Sequence, residues 1–213
     1  MLKQYREEGK IEVGLDEAGR GCLLGPVCVA GVIWLDKDPD ETIVIKDSKK
    51  YSEKKRIICN EYILNNCISY SINMVDNNEI DEKNILKCSM EGMHKCLDDI
   101  SKKQKFDSIL VDGNHFPNYY SVEMDDFIPH TCVIKGDDTY KSIAAASVLA
   151  KTHRDEYIKK LVQENPELEK YDILKNKGYG TKKHIEAIHQ YGITKWHRKT
   201  FAPCNQYVNQ MKE

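Results

Sequence analysis

Residues 13–34 read VGLDEAGRGCLLGPVCVAGVIW, and the order of events within them decides the fold. A run of strand formers, 11–15, meets two adjacent acids, Asp16 and Glu17. A glycine-rich connection follows, then a second apolar run, 27–35, opened by Pro26. This composition predicts two adjacent strands with the acids at the end of the first. Gly19, Gly21 and Gly25 after a strand would also suit the phosphate turn of a dinucleotide-binding fold. That fold needs a helix to begin at the glycines, so that its N-terminus meets the pyrophosphate. Here a strand follows instead, and two acids would repel the pyrophosphate.

Working outward, Ser52 reads as an N-cap with Glu53 in the first turn of a helix reaching about Asn66. Residues 67–75 alternate as a strand does. A helix from about Asn84 to Ile100 carries Leu86, Met90, Met93, Leu97 and Ile100 at spacings of four and three, which is a core stripe. FDSILVDG, 106–113, reads as a short buried strand ending in an acid and a turn glycine. HTCVIKGDD, 130–138, reads as another strand ending in acids. Residues 139–163 are helical and open with SIAAAS, a small-residue run that permits close packing on a sheet, and a short helix is expected near 181–190. Strands first as a meander and then alternating with helices predict an α/β fold with a mixed sheet. We divide it into a core, 1–170, and a C-terminal helical, substrate-binding segment, 171–213, packed on that core.

At 213 residues the chain can bury a sizeable core without covalent staples. Its eight cysteines form no C-x-x-C pair, so they read as reduced, mostly buried thiols of a cytoplasmic protein. No run has the apolar length of a signal peptide or membrane span, and no membrane role is expected. The net charge of −2 is unevenly spread: from Tyr171 onward there are eight Lys or Arg against three Asp or Glu. A basic tail beside an acidic body suits a protein holding a polyanion on one side and a cation on the other, although a solvated lysine-rich surface has the same composition.

The acids carry the chemistry. Asp16 and Glu17 follow one strand, Asp112 ends another and Asp137 follows a third. Each alone reads equally as a turn or cap residue. Gathered at the strand ends of one sheet, they would repel one another unless a cation intervened. Oxygen ligands without His or Cys favour Mg²⁺ or Mn²⁺ over zinc, and two such ions suit in-line displacement at a phosphodiester. Gly19, Arg20 and Gly21 form either a plain tight turn or a loop that lets backbone approach a nucleic acid. Tyr179, between two glycines in KGYGTKKH with Lys182 nearby, is placed either for stacking on a base or sugar or as a buried turn residue. DSKKYSEKKR, 47–56, puts Ser48 and Lys49 either at a solvated helix end, the stronger reading for the segment alone, or at a helix start where amides and lysines can hold phosphate.

Together GLDEAGRG with GPV, DSKKYSEKKR, VDGN, KGDDTYKSIAAASVLAKTHRD, NKGYGTKKH and HRKTFAP, in that order between Ile11 and Pro203, resemble ribonuclease HII. The resemblance implies an RNase H-like core with a small C-terminal helical part. It implies hydrolysis of the RNA strand of RNA–DNA hybrids and incision 5′ of single ribonucleotides embedded in duplex DNA, leaving 3′-hydroxyl and 5′-phosphate ends. By the same resemblance Asp16, Glu17, Asp112 and Asp137 are the catalytic, metal-holding carboxylates. Asp137 is preferred to Asp138 by its distance to AAAS. Gly19, Arg20 and Gly21 sense the 2′-hydroxyl at the RNA–DNA junction, and Tyr179 packs on the deoxyribose beyond it. The related ribonuclease HIII carries an added N-terminal domain that the early position of DEAGRG is expected to exclude, and a clamp-binding tail after FAP is not expected. A monomer suffices. A non-catalytic nucleic-acid-binding module of the same fold is the alternative, but it would require at least one of the four acids to be missing or masked, and none is missing.

Overall fold

The computed structural model describes residues 2–34 and 43–210; the expected end of the second strand at Leu35 lies outside them. The two apolar runs form β1 (Glu12–Ala18) and β2 (Val27–Ile33), paired antiparallel with Asp16 opposite Ala30 and Glu17 opposite Val29. The two acids therefore lie inside β1 rather than after it, a correction to the expected boundary. The ladder to β2 continues through them, and pairing rather than side-chain polarity sets where a strand ends.

The sheet is completed by β3 (Ser69–Val75), β4 (Ser108–Asp112) and β7 (His130–Val133), in the order β3-β2-β1-β4-β7. β3 runs antiparallel to β2, whereas β1, β4 and β7 are mutually parallel. The expected mixed α/β sheet is thus present. The parallel trio brings the C-terminal ends of β1, β4 and β7 to one edge, where open α/β sheets build their sites. The stretch between β4 and β7, which has no clear period in sequence, contains a small hairpin, β5 (Tyr119–Ser121) with β6 (Asp126–Ile128).

Helices cover both faces. α1 (Glu53–Asn66) is capped by Ser52, whose side chain accepts from Lys55 N–H. α2 (Asn77–Lys83), which the sequence reading missed, is a short helix capped by Asp76. α3 (Ile85–Ser101) starts where expected, at an Asn84 cap. Met90, Met93, Leu97 and Ile100 of its stripe are buried against Val13, Leu15 and Val29, whereas Leu86 is exposed. α4 (Lys141–Glu164) crosses the opposite face with Ala144, Ala145 and Ala146 buried against Cys28, Ala30 and Val32. Its approach is closest at Gly14, where a β-carbon would lie 2.3 Å from the Ser142 carbonyl carbon. The small-residue run and Gly14 together set that distance, bringing α4 side chains to the end of β1.

The C-terminal segment contributes α5 (Ile173–Asn176) and α6 (Lys182–Tyr191), the latter capped by Thr181. Its Tyr171, Ile173, Ala187 and Ile188 share one apolar cluster with Leu23, Leu24, Ile158 and Leu161 of the body. All eight cysteines are free and six are buried. Among the described residues no helix is long and apolar enough to cross a membrane.

Candidate active site

Register explains how the carboxylates meet. Leu15 of β1 is opposite Val111 of β4, so Asp16 and Asp112, the next residue of each strand, stand side by side. Gly136 follows β7 and donates its N–H to Asp112 Oδ1 at 2.7 Å. A side chain at Gly136 would come within 2.6 Å of Ile143 and 3.3 Å of that same carboxylate oxygen. This turn therefore draws Asp137 toward Asp112. Asp137 is buried, and its Oδ2 lies 3.6 Å from Lys49 Nζ. Asp138, next in sequence, is exposed and paired with Lys50 instead.

Like charges in a buried corner raise one another's proton affinity. Burial, then Glu17 and Asp112, push the Asp16 carboxyl well above its ordinary value, partly offset by hydrogen bonds from Ser147 and the Glu17 N–H. Glu17 is raised by burial, with Arg20 opposing and Asp112 adding. Asp137 is raised by burial and by Asp112 and Asp47, against Lys49. Cations drawn into this balance sit at its margin: Lys49, and Arg20 with Nη1 3.5 Å from Glu17 Oε1.

The donor set is all carboxylate oxygen, the chemistry that suits a hard divalent cation. Asp16 Oδ1 is turned to the Glu17 N–H at 2.7 Å. Among the described residues no three His, Cys, Asp or Glu side chains already stand together as a cage. Mg²⁺ does not require one, because it keeps several waters and is held by one or two carboxylates together with substrate phosphates. The residues present fit such an ion.

Beside the acids opens a cleft of about 450 Å³ lined by Asp16, Glu17, Gly19, Arg20, Gly21, Ser48, Lys49 and Tyr179, and also by Ser147 and Lys151 of α4. Asp112 and Asp137 do not line it. Lys182 stands apart at the start of α6, strongly exposed, with Nζ 3.8 Å from Glu186. Sequence reading missed Ser147 and Lys151. The signal available was their spacing of four within a helix whose other residues there are small and apolar. Ser147 Oγ meets Ser48 Oγ at 3.0 Å. Lys151 Nζ lies 2.7 Å from Asp155 and 5.7 Å from the Tyr179 ring centre.

Two arginines with no solvent exposure lie beneath this cleft. Arg154 donates to the carbonyls of Pro26, Lys177 and Leu24 at 2.7–3.0 Å. Arg198 donates to those of Gly25, Arg20 and Gly19 at 2.8–3.0 Å. Gly19 has φ +89, and a β-carbon there would meet Arg154 Nε at 1.9 Å, so glycine is required for both conformation and space. With their carbonyls turned to buried guanidinium groups, the loop residues are held against the core beneath the cleft.

A carboxylate cluster at the parallel edge of a mixed sheet, beside a cleft with a glycine loop, an aromatic ring and lysines, defines a nuclease of the RNase H-like class. The sequence model of the family described as Ribonuclease HII matches residues 13–204. Ribonuclease HII proteins of Parabacteroides distasonis and Bacteroides thetaiotaomicron are each 47% identical over 201 residues, covering 94% of this chain and 94% of each relative. The ribonuclease H2 from Pyrococcus horikoshii shares the fold, with TM-score 0.75 and 24% identity over 93% of this chain and 97% of that one. RNase HII from Archaeoglobus fulgidus, solved as a complex with PCNA, superposes with TM-score 0.69 and 25% identity over 94% of this chain and 100% of its own. A Bst-RNase HIII structure in complex with Mn²⁺ gives TM-score 0.71 at 18% identity over 94% and 70%. The chain belongs to the ribonuclease HII family. It is an endoribonuclease that degrades the RNA of RNA–DNA hybrids.

Proposed function

We propose that this ribonuclease HII also incises duplex DNA on the 5′ side of a single embedded ribonucleotide, with Asp16, Glu17, Asp112 and Asp137 holding one or two Mg²⁺ or Mn²⁺ ions. The observation that carries the reading is that Gly19–Gly21 and Tyr179 face the same cleft as Asp16 and Glu17. A ribose 2′-hydroxyl at the glycine loop and the following deoxyribose at Tyr179 would then place the phosphodiester 5′ to the ribonucleotide beside the acids. The 2′-hydroxyl, both donor and acceptor, is the group that separates RNA from DNA. When bound, the metal supplies the Lewis-acid chemistry that activates water and stabilises the leaving oxygen.

The chain's own residues do the rest. Asp16 and Glu17 present carboxyl oxygens at the cleft wall, Ser147 orients Asp16, and Gly136 orients Asp112. Ser48, Lys49 and Lys151 offer a hydroxyl and two ammonium groups to the backbone phosphates. Lys182 serves only a longer stretch of duplex, since it stands outside the cleft. We assign residues 1–170 to the catalytic core and 171–213 to a substrate-holding segment, in a protein that acts as a cytoplasmic monomer away from membranes.

The test is a labelled DNA duplex carrying one ribonucleotide, incubated with protein and Mg²⁺ or Mn²⁺ beside an all-DNA control. Incision 5′ of the ribonucleotide alone, leaving 3′-hydroxyl and 5′-phosphate ends and stopped by chelation, is expected. Cleavage of long hybrids with none at the single ribonucleotide would overturn the proposal.

A further inference from the structure

Two recognition elements that are far apart in sequence, the Gly19–Gly21 loop and Tyr179, are held together by side chains that never reach the cleft. Cys22–Gly25 runs between the two arms of the C-terminal segment. Leu23 N–H donates to the Gly178 carbonyl and Arg198 N–H donates to the Leu23 carbonyl, both at 2.8 Å. Isolated β-bridges pair Cys22 with Tyr179 and Leu24 with His197.

His184, His197 and Arg198 sit behind this weave with no solvent exposure. The backbone N–H of Thr194 lies 2.9 Å from His197 Nδ1. A backbone N–H can only donate, so Nδ1 accepts and the ring's proton is on Nε2. That Nε2 is 3.1 Å from His184 Nε2, which must then accept. The His184 proton is left on Nδ1, 2.9 Å from the carbonyl of Tyr179. One direction of donation satisfies every atom: Thr194 to His197, His197 to His184, His184 to Tyr179. A second proton on either ring would bring two N–H groups face to face. Burial and the neighbouring His184 hold His197 neutral, its pKa pushed down to about 3. The very next residue, Arg198, sends its fork to the carbonyls of Gly19, Arg20 and Gly25.

We propose that the dipeptide His197–Arg198, with His184, is a positioning device that fixes the separation between the Gly19–Gly21 loop and the Tyr179 loop. The two contacts then read adjacent sugars in one register. This rests on the proposed function, which gives those loops the ribose and the deoxyribose. A purely structural set of buried residues would affect stability and leave the choice of cleavage position alone. A positioning device changes both the affinity for a ribonucleotide junction and the fidelity of the cut.

The first arm of the test needs no variant. Nitrogen NMR of histidine-labelled protein near pH 7 should find His184 as the Nδ1–H tautomer and His197 as the Nε2–H tautomer, both neutral. The opposite tautomer in either ring, or a cationic ring, would overturn the proposal whatever the substrate. The second arm uses His184→Phe, His184→Asn and Arg198→Lys on a duplex with one ribonucleotide and on one with a short ribonucleotide run. His184→Phe and Arg198→Lys should lower kcat/KM for the single-ribonucleotide duplex about ten- to a hundredfold, the scale of a misplacement remote from the chemistry, with KM raised. Cuts should spread to neighbouring positions in the run. His184→Asn, whose amide can reproduce the Nδ1 donor, should recover part of the loss. The His184→Phe effect should disappear in a Tyr179→Ala background; an equal effect in both backgrounds, or unaltered cut positions in folded variants, would refute the device. Wild-type KM for Tyr179→Ala alone would instead sink the assigned role of Tyr179. In that case amide exchange at Gly178 and Tyr179 in His184→Phe still decides the inference: faster exchange supports it and unchanged exchange contradicts it.

Discussion

The acidic corner and the loop clamp adjoin the same cleft and treat buried charge in opposite ways. At the corner, Asp16, Glu17 and Asp137 each feel the charge of Asp112, with Lys49 and Arg20 at the margin, and burial and mutual repulsion raise the proton affinities of those three. Under the clamp, Arg154 and Arg198 are as deeply buried, yet each donates to three backbone carbonyls. A buried charge is costly unless its hydrogen bonds are made. The clamp meets that condition within the fold, so it is rigid before substrate arrives. The corner has hydrogen bonds to Asp16 and Asp112 but retains raised proton affinities, and in the proposed function a cation offsets the remaining repulsion. Under the proposed function, the difference separates the residues that would hold the substrate's register from those that would perform the chemistry.

This contrast can be broken at its strong end first. Asp112→Asn and Asp137→Asn should each lower kcat by roughly a thousandfold or more, the scale for removing a group that organises metal-assisted hydrolysis, while circular dichroism and thermal melts remain close to wild type. Full turnover in either would remove that residue from the corner's function. On the clamp side, Arg154→Met strands three buried carbonyls and should cost about 3 kcal/mol or more of stability, read by chemical denaturation. A neutral result there would mean that the carbonyls find other partners and the clamp is not rigid.

Smaller effects sharpen the comparison. Asp16, Glu17 and Asp137 bind protons more tightly in the folded protein than in the unfolded chain, so without metal the stability they contribute is full below their ordinary values and is lost as pH rises toward the raised ones. Asp16→Asn should therefore stabilise the metal-free protein at neutral pH by on the order of 1 kcal/mol. The gain should fade as pH drops below the ordinary aspartate value of 3.8, and melting curves over a pH series check the sign. A loss of stability at neutral pH would show that the corner is already satisfied. Asp138→Asn, which removes only an exposed partner of Lys50, should change activity less than about twofold and stability by less than about 1 kcal/mol.

Much of this was legible in the sequence because it rests on local rules. The strand after Gly25 weighs against the dinucleotide turn, Ser52 announces its helix, and acids at the ends of apolar runs mark the sheet edge. What stayed hidden depends on register and on distance along the chain. The polarity of Asp16 and Glu17 resembles a strand ending, whereas pairing with Ala30 and Val29 keeps them inside β1. Ser147 and Lys151 reach the cleft only because Gly14 admits α4 so closely. Lys182 was grouped with Tyr179 by sequence proximity, but the turn into α6 carries it onto the outer surface. His184 and His197 gain meaning from a contact across two turns that no local pattern encodes, and Arg154 and Arg198 look like surface cations until their carbonyl partners are known.

The most direct test is a calorimetric titration of substrate-free protein with Mn²⁺, repeated on Asp112→Asn. The corner, left incomplete by the fold, predicts saturable binding to the wild-type protein that is lost or greatly weakened in the variant. Absence of saturable binding in the wild type, or identical binding in both, would contradict the claim that these carboxylates await a metal.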